Sequence, residues 1–261
     1  MTTSTAIPEV KLTDGHDVPI LGFGTWQMTG DVAYHAVLDA LKAGYRHLDT
    51  ATAYDNEAQV GRALRDSGLA REDVFITTKL PPGRAGEERA TLSASLRELG
   101  VDYVDLWLVH WPPDGQPAPG TWAEFIALRD EGLTRSIGVS NYSTGHLDQL
   151  VDATGVAPAV NQIKWSPLLH DPARLAELRD RGVAVEGYSP FRAGDLDASE
   201  LVEIAERHGI TPAQVVLRWH IQHEIVVIPK SQDPDRLRSN LDVFGFSLTD
   251  DEMSRIDGLA R

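Results

Sequence analysis

Four polar residues, Asp49, Tyr54, Lys79 and His110, stand at or just beyond the ends of three β-rich runs. Asp49 follows Tyr45-Arg46-His47-Leu48, and Tyr54 lies five residues further on in a loop. Lys79 follows Val74-Phe75-Ile76-Thr77-Thr78, and His110 follows Tyr103-Val104-Asp105-Leu106-Trp107-Leu108-Val109. An acid, a phenol, an amine and an imidazole brought together form a proton-donating set with no nucleophile and no metal cage. That set suits proton delivery to an oxygen gaining negative charge, as in the reduction of a carbonyl. A free tyrosine ionises near pH 10, too high for easy donation at neutral pH, and a neighbouring cation lowers that value. Lys79 is expected to be that cation, with Asp49 paired to it. His110 is expected to donate a hydrogen bond to the reacting oxygen. Taken singly, each residue has a plainer use: Asp49 as a cap, Tyr54 as a loop aromatic, Lys79 as a solvated charge, His110 as a core histidine. The chemical reading therefore depends on a fold that makes the four converge.

The rest of the chain supplies that fold. β-rich runs ending near Phe23, Asp49, Lys79, His110, Ser140, Gln162, Ser189 and Ile228 alternate with amphipathic stretches at residues 31–43, 87–99, 172–181, 201–208 and 212–222, with a final helix expected over 250–259. Some stretches open on a capping residue, as at Thr211-Pro212, and others stop near a glycine, as at Gly44 and Gly100. Regular β-then-α alternation implies parallel strands with right-handed crossovers, and about eight such units favour a closed (β/α)8 barrel, with the strand ends gathered on one face. The rival, an open doubly wound sheet, usually carries G-x-G-x-x-G after its first strand. Here Gly22-Phe23-Gly24-Thr25-Trp26-Gln27 lacks the third glycine. Before the repeat, two short runs around Asp14-Gly15 read as a β-hairpin, expected to close the barrel floor. No linker interrupts the pattern, so residues 1–261 are read as a single domain.

The chain has 261 residues and a net charge of −15, which opposes nucleic acid and anionic membranes as partners. It contains no cysteine, so there is no disulfide and no thiolate, as expected of a cytoplasmic protein. The N-terminus lacks the basic and apolar regions of a signal peptide, and no apolar run reaches the roughly 18 residues of a membrane span. The nine histidines show no metal-ligand spacing, which weighs against a metal-dependent hydrolase on a similar barrel.

Three longer segments carry a family resemblance. Gly44-Tyr45-Arg46-His47-Leu48-Asp49-Thr50-Ala51-Thr52-Ala53-Tyr54, Val139-Ser140-Asn141-Tyr142 and Val227-Ile228-Pro229-Lys230-Ser231 resemble, in that order, the three signatures of the aldo-keto reductases. The resemblance spans nearly the whole chain and is strongest to the bacterial branch named for 2,5-diketo-D-gluconic acid reductases. It implies a (β/α)8 barrel, a nicotinamide cofactor, no metal, a small-molecule carbonyl substrate and a monomer.

Under that resemblance, Ser140, Asn141 and Gln162 are the expected clamp on the nicotinamide carboxamide, whose donor and acceptor both need partners. Tyr188 is expected to stack on the ring, with Ser189 and Pro190 near the pyrophosphate. Lys230, Ser231 and Arg236 look like a 2′-phosphate site, helped by N–H groups of a helix starting near Asp233-Pro234, and Asn240 is placed to reach the adenine. This set favours NADPH over NADH. Phe23, Trp26 and Trp111, with Tyr54, are expected to wall the substrate pocket. Two departures from the family stand out. Residues 81–86 lack the aromatic common in relatives, and the chain stops at Arg261 without the usual long C-terminal loop. An open, shallow pocket of loose specificity is expected. Residues 191–195 are also worded differently from the family pattern. The competing function from another class is a regulatory or sensor subunit that binds cofactor on the same barrel with little turnover.

Overall fold

A computed structural model describes residues 7–191 and 196–260. The chain opens with an antiparallel pair, β1 (Glu9–Lys11) and β2 (Asp17–Pro19), in the register Val10 opposite Val18. Eight strands follow: β3 (Phe23–Gly24), β4 (His47–Asp49), β5 (Phe75–Leu80), β6 (Val104–Val109), β7 (Thr134–Ser140), β8 (Val160–Lys164), β9 (Ala184–Tyr188) and β10 (Val226–Val227). They pair in chain order, every pair parallel. The two edges of this curled sheet also meet. Gly22 N donates to Val227 O at 2.9 Å, Val227 N to Ile20 O at 2.9 Å, and Gly24 N to Pro229 O at 3.1 Å.

Helices α1 (Gly30–Ala43), α2 (Glu57–Ser67), α3 (Glu88–Leu99), α4 (Pro119–Asp130), α5 (Thr144–Thr154), α6 (Pro172–Asp180), α7 (Ser199–His208), α8 (Pro212–Gln222), α9 (Pro234–Leu241) and α10 (Asp250–Asp257) are joined by loops that include short 3-10 turns, among them Thr52–Tyr54. Each expected stretch holds a helix, with ends shifted by no more than two residues, and α8 has the expected limits. Its N-terminus is fixed by a capping box, Thr211 accepting from Gln214 N while the Gln214 side chain accepts from Thr211 N. The hairpin strands are shorter than the runs flanking Asp14-Gly15, because the chain reverses over Leu12–His16, with Leu12 N bonded to His16 O.

The apolar residues sort into two bodies. The larger lies between strands and helices and includes Trp107, stacked on Phe125 at 3.7 Å between centroids. The smaller joins Leu12 and Val18 of the hairpin to Leu106, Leu108, Ala159, Val160 and Val226. Close approaches require glycine at two places. A Cβ on Gly61 would sit 2.1 Å from the Leu99 carbonyl oxygen, so α2 reaches the end of α3 only without one. A Cβ on Gly22 would sit 2.6 Å from Nδ1 of His47, whose ring fills the barrel interior there.

Candidate active site

Strand ends bring the four residues together. Alternation turns Asp49 of β4 and Lys79 of β5 inward, where Lys79 Nζ donates to Asp49 Oδ1 and Oδ2, both at 2.7 Å, and to the Thr50 carbonyl at 2.8 Å. Three acceptors use all three protons of the ammonium. Lys79 is wholly buried, and burial works against its charge, but the Asp49 carboxylate more than offsets this and its pKa lies above the ordinary value. Gln162 Nε2 donates to Asp49 Oδ2 at 2.8 Å, so the carboxylate is held from two sides. Tyr54, delivered by the turn at Thr52–Tyr54, places its ring centroid 5.0 Å from Lys79 Nζ. The His110 ring stands edge-on to it, centroids 5.6 Å apart.

The expected effect of Lys79 on Tyr54 is present but does not decide the outcome. Lys79 does pull the Tyr54 pKa down, but burial of the phenol pushes it up by more, and the net direction is upward. The phenol therefore holds its proton firmly at neutral pH. His110 is pushed down to about 3, by burial first and then by the Lys79 charge, so its ring is neutral. Nδ1 of His110 is buried without a partner. An orphaned N–H there would cost more than an orphaned lone pair, which favours the tautomer carrying hydrogen on Nε2.

Above these residues opens a cleft of about 650 Å³, lined by Trp26, Asp49, Tyr54, His110, Trp111, Ser140, Asn141, Gln162, Tyr188, Ser189, Pro190 and Lys230 among the expected residues. Trp26 and Trp111 are exposed aromatic side chains, at 54% and 48%, and both line it. Phe23 does not belong to it. Phe23 and Gly24 face opposite sides of a two-residue strand, so Gly24 lines the cleft while Phe23 is sealed in the core against Tyr45, centroids 5.7 Å apart.

The expected amide clamp is a connected network. Ser140 Oγ donates to the Gln162 carbonyl at 2.8 Å and lies 3.0 Å from Asn141 Nδ2, while Tyr188 Oη donates to Asn141 Oδ1 at 3.0 Å. Asn141 and Ser189 both take left-handed backbone, φ 63° and 54°, beside the cleft, a conformation held at a cost by the surrounding structure. After these bonds Gln162 Oε1 remains free as an acceptor, and the second Asn141 N–H reaches the His110 carbonyl only at 3.4 Å, a long bond that a carboxamide oxygen could replace.

A family model, Aldo/keto reductase family, matches residues 20–261. The chain belongs to the aldo/keto reductase family. It is 44% identical over 263 residues to 2,5-diketo-D-gluconic acid reductase B of Corynebacterium sp. (strain SHS752001), covering 98% of this chain and 94% of that protein. The crystal structure of an aldo/keto reductase from Brucella melitensis superposes with a TM-score of 0.95 at 44% identity, over 99% of this chain and 100% of the other. An aldo-keto reductase of Bombyx mori, solved in complex with NADP, gives 0.92 at 33% identity over 98% and 94% of the two chains. The protein is an NAD(P)H-dependent oxidoreductase of this family with a (β/α)8 fold, and named reductases among its relatives lend nothing to the regulatory-subunit reading. Among the described residues, no helix is long and apolar enough to cross a membrane.

The expected 2′-phosphate corner of this reductase is arranged differently. Lys230 lines the cleft, with Nζ 3.3 Å from Gln27 Oε1 and 5.7 Å from the Trp26 ring centroid. Ser231 is engaged locally with Asp233, and the Arg236 side chain is 80% exposed, 3.8 Å from the Asp233 carboxylate. Asn240 is buried, beside Tyr45. The helix amides expected to be free are not. Asp233 caps α9, its Oδ1 accepting from Asp235 N at 2.8 Å and Arg236 N at 3.4 Å. Of the reworded segment 191–195, Phe191 lines the cleft and 192–195 lie outside the described residues.

Sequence reading missed three features. Lys164 lines the cleft two residues beyond Gln162, because β8 runs further than its expected end. His47 and Glu186 lie wholly buried inside the barrel. A lone glutamate in Ala184-Val185-Glu186-Gly187-Tyr188, two residues before a cleft tyrosine, was the available signal. The fold also gathers His170, His223 and Asp257, whose sequence spacing gave no hint, although none lines the cleft. There Asp257 Oδ1 lies 2.8 Å from His223 Nε2 and accepts from Trp219 Nε1 at 2.7 Å, tying α10 to α8.

Proposed function

We propose that this protein reduces aldehydes and ketones, dicarbonyls and keto sugars among them, to alcohols with NADPH, and that Tyr54 gives the proton. The observation that carries this reading is the ammonium of Lys79 lying 5.0 Å from the Tyr54 ring centroid while locked to Asp49. Bound NADPH supplies the hydride that reaches the carbonyl carbon. The protein's own groups do the rest. His110 Nε2–H orients the carbonyl oxygen and stabilises charge gathering on it. The Tyr54 hydroxyl passes its proton to that oxygen, and Lys79 stabilises the phenolate left behind. A raised resting pKa suits this order of events, because the acid is fully loaded before the oxygen becomes basic.

Gln162 Oε1 and the Asn141 amide would hold the carboxamide, Tyr188 would flank the ring, and Lys230 with Arg236 would take the 2′-phosphate, which is the basis for preferring NADPH. The relative that carries the name 2,5-diketo-D-gluconic acid reductase B supports a dicarbonyl or keto-sugar substrate. Exposed Trp26 and Trp111 support a pocket open to varied carbonyls. The shared apolar cluster of Leu12 and Val18 with interior strand residues supports the hairpin as the floor of the barrel.

Tyr54→Phe tests the reading. NADPH oxidation with a panel of aldehydes, ketones and dicarbonyls is expected to fall by at least about a thousandfold, while NADPH binding, read by fluorescence, persists. A variant that turns over normally would remove Tyr54 as the acid.

A further inference from the structure

One layer beneath the four converging residues, on the same inward face of the strands, lie His47, Thr77 and Glu186. His47 precedes Asp49 by two residues on β4, Thr77 precedes Lys79 by two on β5, and Glu186 stands beside Gln162 in the β8–β9 register. All three are sealed from solvent. Glu186 is the anomaly, because neither of its carboxyl oxygens has a hydrogen-bond partner. Buried polar atoms are nearly always partnered, and those that are not tend to mark a catalytic role, a strain reservoir or a trapped water.

The surroundings decide which form the carboxyl takes. His47 Nδ1 faces the Pro19 carbonyl at 3.4 Å, a group that can only accept, so Nδ1 carries the hydrogen. His47 Nε2 is then a bare lone pair, 3.1 Å from the Thr77 hydroxyl and 3.7 Å from Glu186 Oε1. Burial holds His47 down at about 4, so it does not become a cation for Glu186 at neutral pH. An ionised Glu186 would be a buried anion with no well-formed hydrogen bond on either oxygen, helped by the neighbouring Gln162 amide and the Lys79 charge. A neutral Glu186 brings a hydrogen of its own, close to the Nε2 lone pair that the Thr77 hydroxyl also faces. Burial, and then the charge of Asp49, push its pKa up to about 8. The charged and titratable groups facing Glu186 are His47 and Asp49 from β4 and Lys79 from β5, and β8 contributes the uncharged Gln162.

We infer that Glu186 is a positioning residue for the proton donor: as a neutral acid it leaves the charge of Lys79 to Asp49 and Tyr54, and on ionising it sets a second anion behind Lys79. The inference rests on Tyr54 as the acid. The second anion weakens the positive field at the phenol and makes Tyr54 hold its proton to higher pH. Reduction by the wild type therefore persists further into the alkaline range than it would with a permanently neutral side chain at this position.

Two measurements test this. The first is the pH profile of kcat/KM for reduction by wild type and Glu186→Gln. The alkaline limb of the variant is expected to move to lower pH by roughly 0.5–1 unit. Coincident limbs, or a loss equal at every pH, would overturn the inference, since a purely structural role lowers activity without moving the limb. The second is infrared spectroscopy of wild type labelled with 13C-glutamate, which needs neither turnover nor a folded variant. A protonated carboxyl stretch is expected near pH 6 and should fade as the pH passes about 8. Its absence near pH 6 would overturn the inference whatever Tyr54→Phe had shown, so the two readings fail separately.

Discussion

The two ends of the cleft are built in opposite ways. At the chemical end, Lys79 and Asp49 are buried, all three ammonium protons are placed, and Gln162 braces the carboxylate from the next layer of the barrel. At the expected phosphate end, Lys230 and Arg236 are exposed and touch only nearby side chains, and the α9 amides are occupied by Asp233. The difference teaches where this protein invests rigidity. A proton donor must be positioned before the reaction begins, because reorganisation at that moment would add to the barrier. A long, charged cofactor tail can be gripped by side chains that settle on arrival, with solvent screening the charges until then.

Breaking the rigid end should have the largest effect. Lys79→Met removes a buried cation and strands Asp49, so reduction is expected to fall by about a thousandfold or more and stability by about 3–5 kcal/mol. NADPH oxidation and urea unfolding read the two losses. Should the variant retain both, the chemical end would not be the preorganised one. Gly22→Ala attacks the same end from below. Its Cβ would press on the His47 ring from 2.6 Å and displace the layer beneath the tetrad, at an expected cost of about 1–3 kcal/mol in unfolding free energy, read by urea unfolding. The adaptable end should respond more mildly and in a different quantity. Arg236→Ala is expected to weaken NADPH binding about tenfold, leave NADH binding unchanged and leave kcat at saturating cofactor unaltered. Equal losses for both cofactors in a fluorescence titration would remove Arg236 from the 2′-phosphate site.

The same contrast governs how far the sequence could be read. The barrel and the tetrad were legible because they depend on periodic, local signals: alternating runs, a capping box at Thr211, and polar residues at run ends. Phe23 was misplaced because a two-residue strand has no alternation to set its phase. The net direction of the Tyr54 shift was not legible because burial is a property of the assembled fold, and here it outweighs the adjacent charge that the sequence does suggest. The α9 amides were counted as free because Asp233 was read only as marking the start of the helix and not as the cap. Glu186 and His47 escaped notice because their meaning comes from neighbours on other strands, far away in the chain.

The seam between Ile20–Gly24 and Val227–Pro229 has a consequence for how the molecule assembles. It joins segments roughly 200 residues apart, through two of the shortest strands in the ring, so its closure waits on most of the chain and should come late in folding. Gly24, Ile228 and Lys230 line the cleft at that very join. A ligand settling there touches both sides of the last stitch, and refolding with cofactor present should lock the ring sooner and protect the amides of Gly22 and Val227 from hydrogen exchange.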